Sequence, residues 1–414
     1  MRWIRPERKS SNLASWVMFL VVLLISCTGR GRKTLSIEAL PVDAEVEDSI
    51  LQGPSVLNDP KRFVWGASVI RDEKGKYHML YNTWECGDSI PPFTDSWVLY
   101  SKIAYAVSDY PDKNFRFQKI VLKGRVSEGD FTAWDAQMVS NPHVKKFKGK
   151  YYLYYIGSVD PGIQPKGSKG EHVNKRNRVQ QNQKIGVIEF ENFEDLMSGN
   201  FVRPEHPILS PRTRVKPDNI VDPSPEGTIP KPDNIIVVNP SVVQRPSDGK
   251  FLLYFKGNLY DPQWRGVHGV ATADSPIGPF TASDRFVFDI HNDDGTIASG
   301  EDPYVWYNNV QERFYAVLKD FSGKITEGEP GLALLESIDG IKWSKPANPF
   351  FMKKEIILQN GSSIKVNRLE RPQLLINDKG DPEVIFCACS IVNINPRQDG
   401  HSFNVHIPLM VSWN

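Results

Sequence analysis

Two short runs place acids beside proline: Glu301-Asp302-Pro303 and Glu370-Arg371-Pro372. Carboxyl groups crowded into one site push each other's proton affinities apart. One can then hold a proton to donate while another stays ionised to act as base or nucleophile. Such chemistry needs acids far apart in the chain to meet. The same x-Pro-x-apolar frame recurs as Asn141-Pro142-His143-Val144 and Asn239-Pro240-Ser241-Val242, and Gly66-Ala67-Ser68-Val69 stands in the equivalent first place. The frame therefore marks a column of five positions: Gly66, Asn141, Asn239, Asp302 and Arg371. Glu301 and Glu370 stand one residue earlier, His143 follows closely, and Trp134-Asp135 lies on the approach to the second copy.

The elements that position this column are strands. After each frame comes a turn and an aromatic-rich alternating segment: Gly75-Lys76-Tyr77 to Tyr81, Gly149-Lys150-Tyr151 to Tyr155, and Gly249-Lys250-Phe251 to Phe255. Weaker copies run from Arg313 to Leu318 and from Pro382 to Cys387. Third strands are expected over Lys102–Val107, Lys184–Glu189, Gly266–Thr272, Gly331–Glu336 and Ile407–Trp413. Five such units of about 65 to 75 residues would use nearly all of a 414-residue chain and predict an all-β, five-bladed β-propeller over 51–414. In that fold the inner strands converge on a central channel, and the column rings one mouth of it. Asn141, His143, Asn239, Arg371 and Trp134 are then candidate substrate-binding groups. Glu370, Asp302, Asp135 and Glu301 are the candidate catalytic acids and base. Trp65, Trp134 and Trp306 fit either a core or a platform for a flat ligand face.

Two segments break the repeat. Asp160–Asn182 is rich in Lys and Arg and is expected to wall the mouth and meet anionic groups. Pro204–Asp233 is a proline-rich connection. Leu40–Leu57 and Glu191–Met197 read as short helical or irregular segments. Ser337-Ile338-Asp339-Gly340-Ile341-Lys342-Trp343 resembles the Asp-box hairpin of sugar-active propellers, with a structural role in turning and capping a blade.

The column resembles that of the five-bladed glycoside hydrolases, mainly family 43 and its relatives in families 32 and 117. Glu301-Asp302-Pro303 is similar to the Arg-Asp-Pro motif of the family 32 relatives, and Glu370-Arg371-Pro372 to their Glu-Cys-Pro motif. The resemblance implies that Glu370 is the proton donor and that Asp302 orients the sugar or tunes a neighbour. It also implies an inverting hydrolase, and the narrow channel mouth favours exo action, here on plant or algal polysaccharide fragments with an oligosaccharide as partner. No cofactor is implied, and a structural calcium in the channel is allowed. The departures are Gly66, where those families place an acidic base or nucleophile, and Asn141 and Asn239, where family 43 has acids. Asp135 is the first substitute for the base and Glu301 the second. A glycan-binding propeller without turnover is the alternative from another class. A phosphorylase related to family 130 is the other enzymatic alternative.

The first residues read as a lipoprotein signal over 1–26. Arg2, Arg5, Arg8 and Lys9 precede the apolar run Leu13–Ile25, and Leu24-Ile25-Ser26-Cys27 resembles a lipobox that makes Cys27 the lipidated residue. A tether is expected over 27–50, and the periplasmic face of the outer membrane is the expected location. Removing 1–26 takes away four basic residues and one acid, so the net charge falls from +1 to −2, which gives no general attraction to nucleic acid. Of the remaining cysteines, Cys387 and Cys389 point the same way along a strand. Cys86 could pair with the last blade or stay a free thiol.

Overall fold

The computed structural model describes residues 33–212, 229–260 and 264–414. Residues Thr34–Asn414 form one compact unit, a five-bladed β-propeller. The inner strands are Arg62–Arg71, Met138–Phe147, Val238–Gln244, Gly300–Asn308 and Arg368–Ile376. Each pairs antiparallel with a second strand: Tyr77–Glu85, Lys150–Ser158, Phe251–Tyr260, Arg313–Asp320 or Pro382–Ser390. Third strands follow as the sequence pattern requires. The second blade has three strands and takes isolated bridges from Leu209 and Val202 at its outer edge.

The expected tether over 27–50 is corrected by the fold. Leu35–Ala39 is the outermost strand of the fifth blade, paired in register from Leu35 opposite Trp413 to Ala39 opposite Leu409. The blade is thus built from both ends of the folded unit, which covers an edge that would otherwise be open. Leu40–Leu57 is also not helical: Glu45–Glu47 and Ile50–Gln52 form a small hairpin, and Val56–Leu57 pairs with the last strand. Glu191–Met197 does contain a helix, Phe193–Ser198. Asn192 caps it by accepting from the Asp195 N–H, and Gly199 ends it at φ 80°. The expected leader, Cys27 and the middle of Pro204–Asp233 lie outside the described residues.

Blade faces are packed with aromatic and branched residues. Tyr152, Tyr154, Phe251 and Phe255 join the second blade to the third, and Tyr304, Trp306, Tyr315 and Phe403 join the fourth to the fifth. In the Asp-box-like turn, Asp339 accepts from the Ile341 and Lys342 N–H groups, and Trp343 packs on Phe288 at 4.7 Å, so its role is structural. Cys86, Cys387 and Cys389 are free thiols, and no bridge joins Cys86 to the last blade.

Inner strands of adjacent blades share no continuous hydrogen-bond ladder, so their inner N–H groups need other acceptors. In three places the residue after the proline, or its counterpart in blade one, supplies one. Ser68 Oγ accepts from the Val144 N–H at 3.0 Å, His143 Nε2 from Val242 at 2.9 Å, and Ser241 Oγ from Val305 at 2.9 Å. This tier ties the blades together just below the mouth.

Candidate active site

Each inner strand slips register near its column position, for example between Val64 and Ala67 and between Glu301 and Tyr304. Asn141, Asn239, Asp302 and Arg371 all adopt left-handed backbone there, with φ of 52°, 57°, 58° and 55°. The following proline has no N–H to pair, so the ladder breaks at little cost. The bulge turns the side chain before proline toward the axis.

The turned side chains form a hydrogen-bonded belt. The Asn141 N–H donates to Asn82 Oδ1 at 3.0 Å, and Asn141 Nδ2 donates to Asn239 Oδ1 at 2.7 Å. Asn239 Nδ2 donates to Asp302 Oδ1 at 2.6 Å. Arg371 completes the belt, donating its N–H to Asp302 Oδ2 at 3.0 Å and Nη1 to Oδ1 at 3.2 Å.

Above the belt opens a narrow cavity of about 180 Å³. Its charged lining is Glu301, Asp302, Glu370, Lys256, Arg368 and Arg371, and its aromatic wall is Trp65, Trp84, Phe93 and Trp97. Lys319 Nζ stands 2.6 Å from Glu370 Oε1 and 3.9 Å from Glu301 Oε2, so one ammonium bridges two carboxylates. Lys256 meets Glu301 at 3.2 Å, and Arg368 meets Glu370 at 3.4 Å. Both oxygens of Glu370 therefore accept from cations in the free protein.

Glu301 and Asp302 are driven apart. Burial, then the charge of Glu301, raises Asp302 to about 6 despite Arg371. For Glu301 burial acts upward too, but Lys256 and Lys319 outweigh it and hold the group low, at about 2. Two consequences are expected for Asp302. Its ionised form is the one its three donors serve, so activity should rise with pH through about 6, and Asp302→Asn should remove that limb from the pH–rate profile. Its folded value lies above its ordinary 3.8, so its contribution to stability is fully present below about 4 and is lost as pH rises through about 6. Thermal unfolding of wild type and Asp302→Asn across that window checks the sign.

Six of the expected site residues meet at the mouth: Glu301, Asp302, Glu370, Arg371, Asn141 and Asn239. Three expectations are corrected. Asp135 is fully buried away from the cavity, 3.0 Å from Arg125 Nε and 2.6 Å from Arg203 Nη2, and it accepts from the Tyr155 hydroxyl at 2.8 Å. It is a structural ion-pair centre and not the missing base. Trp134 packs on Tyr155 at 5.5 Å in a slot kept open by Gly157 and Gly186, so it is core. His143 is buried in the inter-blade tier, where Nε2 accepts from Val242 and Nδ1 faces Gln373 Oε1 at 3.0 Å. Burial drops its pKa to about 3, so it stays neutral, and it does not line the cavity where it was expected to bind substrate. Trp306 is core against Tyr315, whereas Trp65 does line the cavity.

The insertion Asp160–Asn182 does reach this mouth, but its arginines are engaged elsewhere. Arg178 pairs with Asp160 at 2.8 Å, and Arg176 donates to the Thr94 carbonyl at 3.0 Å. The insertion presents neutral Gln180 to the cavity, and Gln183 follows it.

Sequence reading missed Asn82, Lys256 and Lys319 on the second strands, and the helix Phe93–Tyr100 that carries part of the aromatic wall. A signal was present: Lys256 and Lys319 each end an otherwise apolar run, and Lys319 stands directly across from Glu301. Among the described residues no group of three His, Cys, Asp or Glu is placed to hold a metal ion.

Neither a family model nor a curated protein sequence matches the chain. Solved structures do. Zg3597, a family 117 glycoside hydrolase produced by the marine bacterium Zobellia galactanivorans, is 16% identical over 91% of this chain and 90% of its own, with a TM-score of 0.54. An α-L-arabinofuranosidase from Lactobacillus brevis is 14% identical over 84% and 91%, with a TM-score of 0.52. A thermostable family-43 glycoside hydrolase is 10% identical over 86% and 96%, also at 0.52. The chain thus has the five-bladed propeller fold found in glycoside hydrolases of families 117 and 43.

Proposed function

We propose that this protein is an exo-acting glycoside hydrolase that removes terminal sugars from plant or algal polysaccharide fragments. The observation that carries the reading is the meeting of Glu301, Asp302 and Glu370 in one narrow, aromatic-walled cavity. The fold neighbours that are glycosidases support it. Glycosidic cleavage needs one carboxyl to protonate the leaving oxygen and one to activate water. With Asp135 locked in the blade, Glu301 is the base: two lysines hold it ionised, and it is about a quarter exposed to the cavity. Glu370, the other carboxyl group that lines the cavity one residue before the frame, is the donor. Its proton passes to the leaving oxygen while Glu301 takes one from the attacking water, which gives inversion. Asp302 stabilises positive charge on the sugar. The test is a panel of aryl glycosides and plant and algal oligosaccharides, with product analysis in the presence and absence of phosphate.

A second reading, a glycan-binding propeller without turnover, is favoured by the ion pairs that hold Glu370 and by the lack of an acid at Gly66. Tight glycan binding with no product from any member of the panel would establish it.

The basic run, apolar run and Leu24-Ile25-Ser26-Cys27 at the start of the chain support a lipoprotein anchored through Cys27, at the periplasmic face of the outer membrane. Membrane fractionation of Cys27→Ala should move the protein to the soluble fraction. Unchanged membrane retention would remove the anchor.

A further inference from the structure

Gly66 and Arg371 form a matched pair. A Cβ at residue 66 would lie 2.8 Å from Arg371 Cβ, 2.9 Å from Cγ and 3.0 Å from Nε. Gly66 is not among the positive-φ glycines, so close approach and not backbone shape requires it. The Arg371 side chain occupies the space that any side chain at residue 66 would need. Its side chain is 4% exposed, its Nη1 is on Asp302, and its Nε and Nη2 have no hydrogen-bond partner. A buried guanidinium is always charged, and donors left unmade are costly.

The charge of the mouth points the same way. Three carboxylates, Glu301, Asp302 and Glu370, face four cations, Lys256, Lys319, Arg368 and Arg371. One positive charge is left over, and Arg371 is the cation with two buried nitrogens, Nε and Nη2, that have no hydrogen-bond partner.

We infer that Arg371 forms an oxyanion subsite in this cavity, whose Nε and Nη2 take two oxygens of one anionic group side-on. Two sources share that chemistry: the carboxylate of an acidic sugar, and free phosphate. The first deepens the glycosidase reading by naming a uronic-acid substrate, and rests on it. The second would make phosphate the attacking group. The fork geometry is specific to arginine, since lysine offers a point charge without two parallel donors. Anion selection thus belongs to the floor of the cavity rather than to the Asp160–Asn182 insertion.

The test is titration calorimetry in phosphate-free buffer. Glucuronate, galacturonate and inorganic phosphate are compared with glucose and galactose, on wild type, Arg371→Lys and Gly66→Ala. Wild type should favour an anion over its neutral counterpart, or over chloride in the case of phosphate. Arg371→Lys should reduce that preference by at least about ten-fold, the usual weight of a hydrogen bond to a charged group. Gly66→Ala should do the same without removing any charge. Circular dichroism of each variant shows that it is folded. Preference for a uronate identifies an acidic sugar; preference for phosphate alone identifies the phosphate source. Binding of no anion to wild type, or an equal preference in folded Arg371→Lys, overturns the subsite. Product release is followed in parallel. Turnover of neutral glycosides without anion preference would sink the subsite alone, whereas anion binding without turnover would sink only the hydrolase reading.

Discussion

Asp135→Ala is expected to destabilise the protein by about 3–5 kcal/mol, the usual cost of stripping the partner from buried charges. It would leave Arg125, Arg203 and the Tyr155 hydroxyl facing an empty site inside the second blade. Asp135→Asn keeps the shape and part of the hydrogen bonding, so its loss should be smaller. Turnover per folded molecule should survive Asp135→Asn, because the side chain does not line the cavity. Thermal or denaturant unfolding of both variants, with activity normalised to folded protein, checks this. An unchanged melting temperature in Asp135→Ala would contradict the ion-pair role. A folded but inactive Asp135→Asn would return the residue to the catalytic site.

The second large effect is expected at the mouth. Glu370→Gln preserves shape but removes the transferable proton, and should slow poorly activated glycosides by about 10²-fold or more. Glycosides with a good leaving group should suffer less, because they need little protonation. Glu301→Gln should slow both kinds alike, since water must be activated whatever leaves. The contrast between the two variants separates donor from base. Equal losses on both substrates in Glu370→Gln would deny it the donor role. Full activity in Glu301→Gln would place the base elsewhere.

How much of this arrangement can be read from the chain depends on what the pattern encodes. The x-Pro frame encodes a bulge, because proline removes a ladder donor and the residue before it turns to the axis. Four repetitions of that frame bring Asn141, Asn239, Asp302 and Arg371 to one belt. Asp135 and Trp134 lie just before the second inner strand, where no repeat fixes direction. Nearness in sequence therefore said nothing about facing the cavity. His143 follows its proline, and alternation sends it one tier below the belt as a tie between blades. Lys256 and Lys319 were hidden because they belong to second strands, whose ends reach the mouth only through pairing with the bulged inner strand. The closing strand Leu35–Ala39 was missed for a related reason: its partner lies at the far end of the chain, and five residues carry too little alternation to announce a blade edge. The role of Gly66 is legible only once Arg371 is seen to fill its place.

This mouth is expected to cleave a terminal glycosidic bond through Glu301 and Glu370. The most direct measurement is the release of monosaccharide from oligosaccharide ends by wild type, Glu301→Gln and Glu370→Gln, followed by chromatography with the configuration of the first-formed product read by NMR. Single terminal sugars of inverted configuration are expected from wild type, with a loss of about 10²-fold or more in each variant. Release of internal fragments, or undiminished release by both folded variants, would contradict this expectation.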